Sequence, residues 1–295
     1  MERVHRRLTN TALNQITIPA WLQATPLAIL LGVFLLVPIL TVIVVSFWDY
    51  DQTHLIPGFV LDNYIDALTE SVTWKTYLST LRFALITWSI TLTLGFTVAY
   101  YLAFHITSPL RQMILFQVCT VPFLTSNIIR MISWIPFLGR NGLINQALQS
   151  AGLTDHPLEF LLFSDFAVIL AFVHLYTLFM VVPIFNTMMR IDRALIEAAR
   201  DAGAGFRTTL TNVIIPLSLP GIAIGSIFVI TLVMGDFITV RLMSGGQSAS
   251  VGVMMMNAMS LLQYPAAAAH AVVLLAVVLL MVAAILRVID IRKEL

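Results

Sequence analysis

Ile191-Asp192-Arg193-Ala194-Leu195-Ile196-Glu197-Ala198-Ala199-Arg200-Asp201-Ala202-Gly203-Ala204-Gly205-Phe206-Arg207 lies between two long apolar runs, 161–185 and 219–240. The stretch reads as a short amphipathic helix, a glycine turn, and a second helix running toward Pro216. Leu195, Ala198, Ala199 and Ala202 share one small apolar face, while Glu197, Arg200 and Asp201 supply charge. Small residues let another surface approach closely. Gly203 and Gly205 permit positive φ, and Pro216 with Pro220 redirects the chain into the next run. The plain alternative is a solvated connector between two apolar helices.

The flanking runs set the solvent. Of the 295 residues 59% are hydrophobic and 11% charged, where soluble domains run roughly 45–50% and about 25%. With a mean hydropathy of +0.93, a water-soluble globule lacks the polar surface to cover itself, so the chain belongs in lipid. A helix crossing about 30 Å of hydrocarbon needs roughly 20 apolar residues. Six such windows occur, at 27–48, 77–104, 112–138, 161–185, 219–240 and 267–289, and none alternates as a barrel strand does. The expectation is an all-α membrane protein of six transmembrane helices. The first window is too long for a cleavable signal core and is read as a retained anchor. An N-terminal segment, 1–26, precedes one membrane domain, 27–295, with the quoted loop inside it at 189–218. Small surface helices are expected within 49–76 and 141–151.

Lys and Arg concentrate in cytoplasmic loops. Placing the N-terminus inside puts Arg3, Arg6, Arg7, Arg111, Arg190, Arg193, Arg200, Arg207, Arg287, Arg292 and Lys293 on the cytoplasmic side, eleven of the sixteen basic residues. The first outer loop carries Asp49, Asp51, Asp62, Asp66 and Glu70 against Lys75. Both termini are therefore expected in the cytoplasm. A net charge of +1 gives no basic surface for nucleic acid, and the single Cys119 excludes a disulfide framework or a cysteine metal cluster.

Driving chemistry is missing from the residues. Gly-x-x-x-x-Gly-Lys-Ser/Thr does not occur: the two lysines, Lys75 and Lys293, follow Trp74 and Arg292. The six histidines form no metal or nucleophile pair. For His174 and His270, packing or an interhelical hydrogen bond stands beside a role in a pathway. A non-catalytic subunit is expected, with no cofactor of its own. If ATP drives this protein, another chain hydrolyses it.

The spacing within the quoted loop now carries more. Glu197-Ala198-Ala199, Gly203 six positions after the Glu and Pro216 nineteen after it resemble the EAA motif of permease subunits in bacterial ABC importers. The family commonly ends this motif Ile-x-Leu-Pro, and here the residues are Val213-Ile214-Ile215-Pro216. Pro122-Phe123-Leu124-Thr125-Ser126, Arg130, Trp134, Gly142-Leu143-Ile144-Asn145, Gly235-Asp236-Phe237 and Gly245-Gly246 look like spermidine/putrescine-type permeases. The resemblance implies a type I ABC importer permease (MetI-like) fold in the bacterial inner membrane. It also implies two copies of an ATP-binding subunit holding ATP and Mg, a second permease of related but different sequence, and a periplasmic solute-binding protein. By the same resemblance the helix around Glu197 couples to the ATPase, with Ala198 and Ala199 packing closely, Gly203 bending the chain and Pro216 closing the motif.

Ionisable groups inside a membrane are costly and usually face a cavity or one another. Asp236, Arg241, Arg130 and the neighbouring Trp134 are accordingly the solute-pathway candidates. Two roles stand side by side for Asp236: contact with solute, or a salt bridge to Arg130 or Arg241 that holds helices together. Gly221 and Gly225 form a small-xxx-small pair suited to helix packing, and Trp48, Tyr50, Trp74, Tyr77 and Trp134 suit an outer aromatic belt. The resemblance implies a polyamine-type solute, with an opine or amino-acid-like compound as the open alternative. The rival class is an ion-coupled secondary carrier working without an ATPase, which usually shows more spans and more intramembrane carboxylates.

Overall fold

The computed structural model describes residues 20–51 and 54–288. Arg3, Arg6, Arg7, Arg292 and Lys293, which weigh in the orientation argument, lie outside the described residues, as does most of segment 1–26.

Helices α1 (Ala20–Leu31) and α2 (Val37–Val45) join through a π-helical turn, Gly32–Leu36. A two-stranded hairpin follows, β1 (Asp49–Tyr50) pairing antiparallel with β2 (Leu55–Ile56), and then α3 (Asp62–Thr69). The long α4 (Ser71–Tyr100) ends in a second π turn, Tyr101–His105. Next come α5 (Pro109–Thr120), α6 (Asn127–Leu138), α7 (Leu143–Ser150) and α8 (Asp165–Met188). Helices α9 (Arg193–Asp201) and α10 (Phe206–Thr209) form the quoted loop. The chain finishes with α11 (Ile215–Gly235), α12 (Ile238–Ser244), α13 (Val251–Ser260) and α14 (Tyr264–Val288).

Among the described residues five helices are long and apolar enough to cross a membrane: Thr25–Val45, Ser71–His105, Glu159–Met188, Phe206–Gly235 and Tyr264–Arg287. The third expected span, 112–138, is not one straight helix. It breaks by 89° between Pro109–Leu124 and Asn127–Ser150, and the count reaches six when this bent pair is taken as one span. Pro122 supplies the cause. It lacks an N–H, the helix tightens to a 3₁₀ turn over Val121–Leu124, and Thr125 is extended at φ −94, ψ 151.

The fifth span is displaced toward the N-terminus. It begins at Phe206 and stops at Gly235, short of the expected 240. Pro216 does not turn the chain, because it falls in the first turn of α11 directly after a π-helical segment, Leu210–Ile214. The wider π turn absorbs the carbonyl clash that a proline ring makes one turn back, so the helix passes through. Gly205 is extended at φ −72 and begins α10, and of the two loop glycines Gly203 alone has positive φ, +84.

The core is a three-helix contact of α4, α8 and α11. Met180 on α8 is its hub. A Cβ at Gly95 on α4 would stand 2.7 Å from Met180 Cγ, and one at Gly225 on α11 would stand 2.7 Å from Met180 Sδ. Gly221 meets the same helix one turn on, with Thr187 Oγ1 at 2.5 Å and the Pro183 carbonyl at 2.6 Å from its Cβ position. Close approach of this kind replaces the hydrophobic drive that lipid does not supply between helices. Buried threonines line α4, and Thr76, Thr80 and Thr91 satisfy their hydroxyls on carbonyls four residues back. Two polar ties cross the bundle: Trp88 Nε1 to Ser226 Oγ at 2.8 Å, and the Val251 N–H to Thr80 Oγ1 at 2.9 Å. The first span adds nothing to this core; Phe34 is 77% exposed, as an apolar side chain can be where lipid is the solvent.

Candidate functional site

The loop helix α9 is fixed at both ends. Asp192 caps its start, Oδ1 accepting from the Ala194 N–H at 2.9 Å. At its end the Gly203 N–H donates to the Arg200 carbonyl at 2.8 Å and the Ala204 N–H to the Ala199 carbonyl at 2.9 Å. With Gly203 left-handed at φ +84, these two bonds make a Schellman motif, which satisfies carbonyls the helix would leave bare. Ile191 and Ile196 are buried and seat the helix on the bundle.

The seating turns the small face outward. Leu195 is 49% exposed, Ala198 and Ala202 are exposed, and Ala199 is half-buried. Glu197 is also exposed but shares its face with Arg193 and Arg200, one turn before and after it. These three line a cavity of about 260 Å³ between α9 and the aromatic rings of Tyr100, Phe104 and Phe206. Arg193 and Arg200 stand four before and three after Glu197 on the helix, the spacing where opposite charges attract, though no salt bridge closes between them among the described residues.

A second polar cluster lies at the opposite end of α11. The helix stops at Gly235, and the Asp236 carboxylate caps the next one: Oδ1 accepts from the Thr239 N–H at 2.8 Å, and Oδ2 from the Thr239 hydroxyl at 2.6 Å. Oδ2 also accepts from the Tyr176 hydroxyl of α8 at 2.7 Å. No salt bridge joins Asp236 to Arg130 or Arg241 among the described residues. Of the two roles open for Asp236, the salt bridge is not the one found: neutral donors surround the carboxylate, because a break between two helices calls for a cap and Tyr176 reaches across to complete it.

Arg130 is 8% exposed and its Nη2 donates to Asn127 Oδ1, while its Nε finds no partner. Arg130 lies one turn before Trp134 on α6, and Trp134 meets α8 at His174, two residues before Tyr176, so among the described residues Arg130 belongs to the same neighbourhood as Asp236 without an ion pair to it. Trp134 Nε1 donates to His174 Nδ1 at 3.0 Å, the interhelical hydrogen bond expected for that histidine. Arg241 faces elsewhere, Nη1 donating to Met256 Sδ at 3.3 Å. Tyr77 donates to the His270 carbonyl at 3.1 Å and Trp74 to the Leu68 carbonyl at 2.8 Å. Among the described residues no ring contact joins any two of the five belt aromatics.

Sequence reasoning missed Tyr176, Thr239 and the seating pair Ile191 and Ile196. Asp236-Phe237-Ile238-Thr239 carries a local cap signal, an acidic residue three before a threonine. Tyr176 stands sixty residues away from its partner and carries none.

An apolar helical bundle with a capped, outward-facing loop helix at one end and a polar cluster toward the other has the make-up of a membrane permease subunit. No family model matches the chain. It is 33% identical over 261 residues to the spermidine/putrescine transport system permease protein PotB of Escherichia coli (strain K12), covering 88% of this chain and 90% of that protein. The same identity and 88% of this chain hold against PotB of Salmonella typhimurium (strain SL1344), with 86% of that protein covered. The inner membrane ABC transporter permease protein YdcU of Escherichia coli (strain K12) is 29% identical over 216 residues, 69% of this chain and 68% of that one. Among solved structures, a chain of a bacterial ABC transporter involved in the import of the acidic polysaccharide alginate superposes with a TM-score of 0.75, 17% identity and 99% of both chains covered. The chain belongs to the PotB family of ABC importer permease subunits, which are inner-membrane proteins. The type I importer permease fold expected from the loop is the fold found.

Proposed function

We propose that this chain forms half of the translocation pathway of an importer for a polyamine-type solute, beside a second, related but different permease. In this reading a periplasmic binding protein delivers the solute, two ATPase subunits holding ATP and Mg supply the energy, and both termini lie in the cytoplasm. The polyamine class comes from the relatives' names.

One observation carries the coupling role. The helix α9 is capped at both ends and anchored by Ile191 and Ile196, yet Leu195, Ala198 and Ala202 face outward uncovered. A solvated connector has no need of so small and apolar an outer face. A groove on an ATPase subunit would receive it, with Ala198 and Ala199 permitting close approach, Gly203 setting the turn, and Pro216 joining the loop to α11. Glu197, flanked by Arg193 and Arg200, offers a charge-assisted contact at the edge of that surface. Asp236, with Arg130 and Trp134 in its neighbourhood, is the pathway region of this subunit.

Reconstitution tests the reading. The chain, its ATPase and its second permease are purified together in liposomes with the binding protein, and ATP hydrolysis is measured with panels of polyamines, opines and amino acids. Stimulation by spermidine or putrescine supports the proposal. Stimulation by an anionic or zwitterionic solute alone refutes the solute class, and solute uptake without any ATPase subunit refutes the coupling role.

A further inference from the structure

A groove remains that neither the loop helix nor the Asp236 cluster uses. It lies between the end of α2, the methionine-rich α13 and the start of α14, encloses about 540 Å³, and is walled by Val45, Met255, Met256, Met259, Ala268 and Ala271 among others. Thr41 also borders it, but its hydroxyl is spent on the Val37 carbonyl at 2.8 Å. The groove sits at the end of the bundle opposite the loop helix, since α11 runs away from that loop and α14 starts at the far end. Its α14 residues span Tyr264 to Ala271, about 12 Å of helix, which covers the passage from headgroup level into hydrocarbon.

A cation stands beside it. Phe237 borders the groove, and Arg241 is the next turn of the same helix face, its N–H donating to the Phe237 carbonyl at 3.0 Å. The Arg241 guanidinium is exposed, donates Nη1 to the Met256 sulfur at 3.3 Å, and has no carboxylate in salt-bridge range among the described residues. A thioether is a weak acceptor, so most of the fork is unspent.

We propose that this is a phospholipid site: one acyl chain lies in the methionine groove and the headgroup phosphate pairs with Arg241. The walls offer a polar solute nothing in return for its lost water. Thioether side chains adapt to a hydrocarbon chain of no fixed shape. A guanidinium fork matches a phosphate in geometry and charge. A partner helix about 10 Å across fills roughly 400 Å³ per turn, so the groove would take little more than one turn of it.

Native mass spectrometry of the assembled transporter, extracted from bilayers of equal phosphatidylglycerol and phosphatidylethanolamine, tests the site. The wild type retains phospholipid, enriched in phosphatidylglycerol. Arg241→Gln lowers that enrichment about fivefold, the contribution of one basic residue near an anionic headgroup. Ala271→Trp fills the groove and removes one retained lipid of either kind per chain. Met259→Trp blocks it from the exposed rim of α13 and serves if the α14 variant does not assemble. An unchanged lipid count in a blocked variant that assembles, or unchanged enrichment in Arg241→Gln, overturns the proposal.

Discussion

Replacing Gly203 with Asn, Ala and Val separates the turn chemistry of the loop from its packing. A Cβ at Gly203 would meet nothing within 4 Å, so added bulk is harmless and the residue's conformation alone is tested. At φ +84 an L side chain crowds the following carbonyl, which costs about 1–2 kcal/mol and less for Asn. That strain falls on the two bonds closing the helix, Gly203 N–H to Arg200 and Ala204 N–H to Ala199. The equilibrium between closed and open turn shifts about 5–30-fold for Ala, more for the β-branched Val. Hydrogen exchange at the amides of residues 203 and 204 reads this directly, and copurification with the ATPase reads its consequence. Exchange should accelerate in the order Gly, Asn, Ala, Val, and ATPase recovery should fall in the same order while membrane insertion is unchanged, since the Met180 core is untouched. Exchange and recovery for Gly203→Val equal to the wild type, or Asn no better than Val, would refute the argument.

Three further outcomes follow from other contacts. Glu197→Lys places a third cation between Arg193 and Arg200; insertion should survive while ATPase copurification and transport are lost, and normal values of both would remove Glu197 from the coupling surface. Gly221→Ala drives a Cβ against the Pro183 carbonyl and Thr187 Oγ1, an overpacking that costs about 1–3 kcal/mol; thermal unfolding should show a lowered midpoint, with Gly235→Ala, which meets nothing within 4 Å, as the silent control. Tyr176→Phe deletes a donor to a charged acceptor, worth about 1.5–3 kcal/mol, and the same unfolding assay should register a drop that Tyr77→Phe, whose hydroxyl meets only a carbonyl, does not match.

What was legible in the residues was what depends on local pattern. Apolar length gave the straight spans, because nothing but a helix satisfies its own backbone in hydrocarbon. The loop helix, its glycine turn and the packing role of Gly221 and Gly225 were equally readable, being properties of neighbours three to six positions apart. Hydropathy failed where one residue overrides an average. Pro122 breaks the third span inside an apolar run, and Asp236 ends the fifth because its carboxylate is committed to Thr239. Polarity misled in the other direction at 206–214, where the helix continues beyond the apolar window. Of the two roles open for Asp236, the salt bridge is not found among the described residues. Charge complementarity pointed to an arginine, whereas the fold brings Tyr176 across from α8, a pairing set by helix packing alone.

The same packing links the two candidate regions. The loop helix hangs between the end of α8 and the start of the α10–α11 helix, and those two helices are locked to one another at three heights. Pro183 and Thr187 bear on Gly221, Met180 bears on Gly225, and Tyr176 holds Asp236. From Gly221 to Asp236 the rise is about 22 Å, most of a bilayer core, and a cavity of about 590 Å³ opens beside this seam, walled by Pro183, Thr187, Pro220 and Ile224 among others. Contacts at three heights tie α8 to α11, so on the proposed coupling role a displacement of α9 is expected to move the two helices together. Two departures from regular α-helix flank that body: the π turn of Leu210–Ile214, and the break at Thr125 and Ser126 where α6 turns away from α5. If α9 docks on an ATPase as proposed, its displacement is expected to reach Tyr176 and Asp236 through α8, beside the bent third span that carries Arg130 and Trp134.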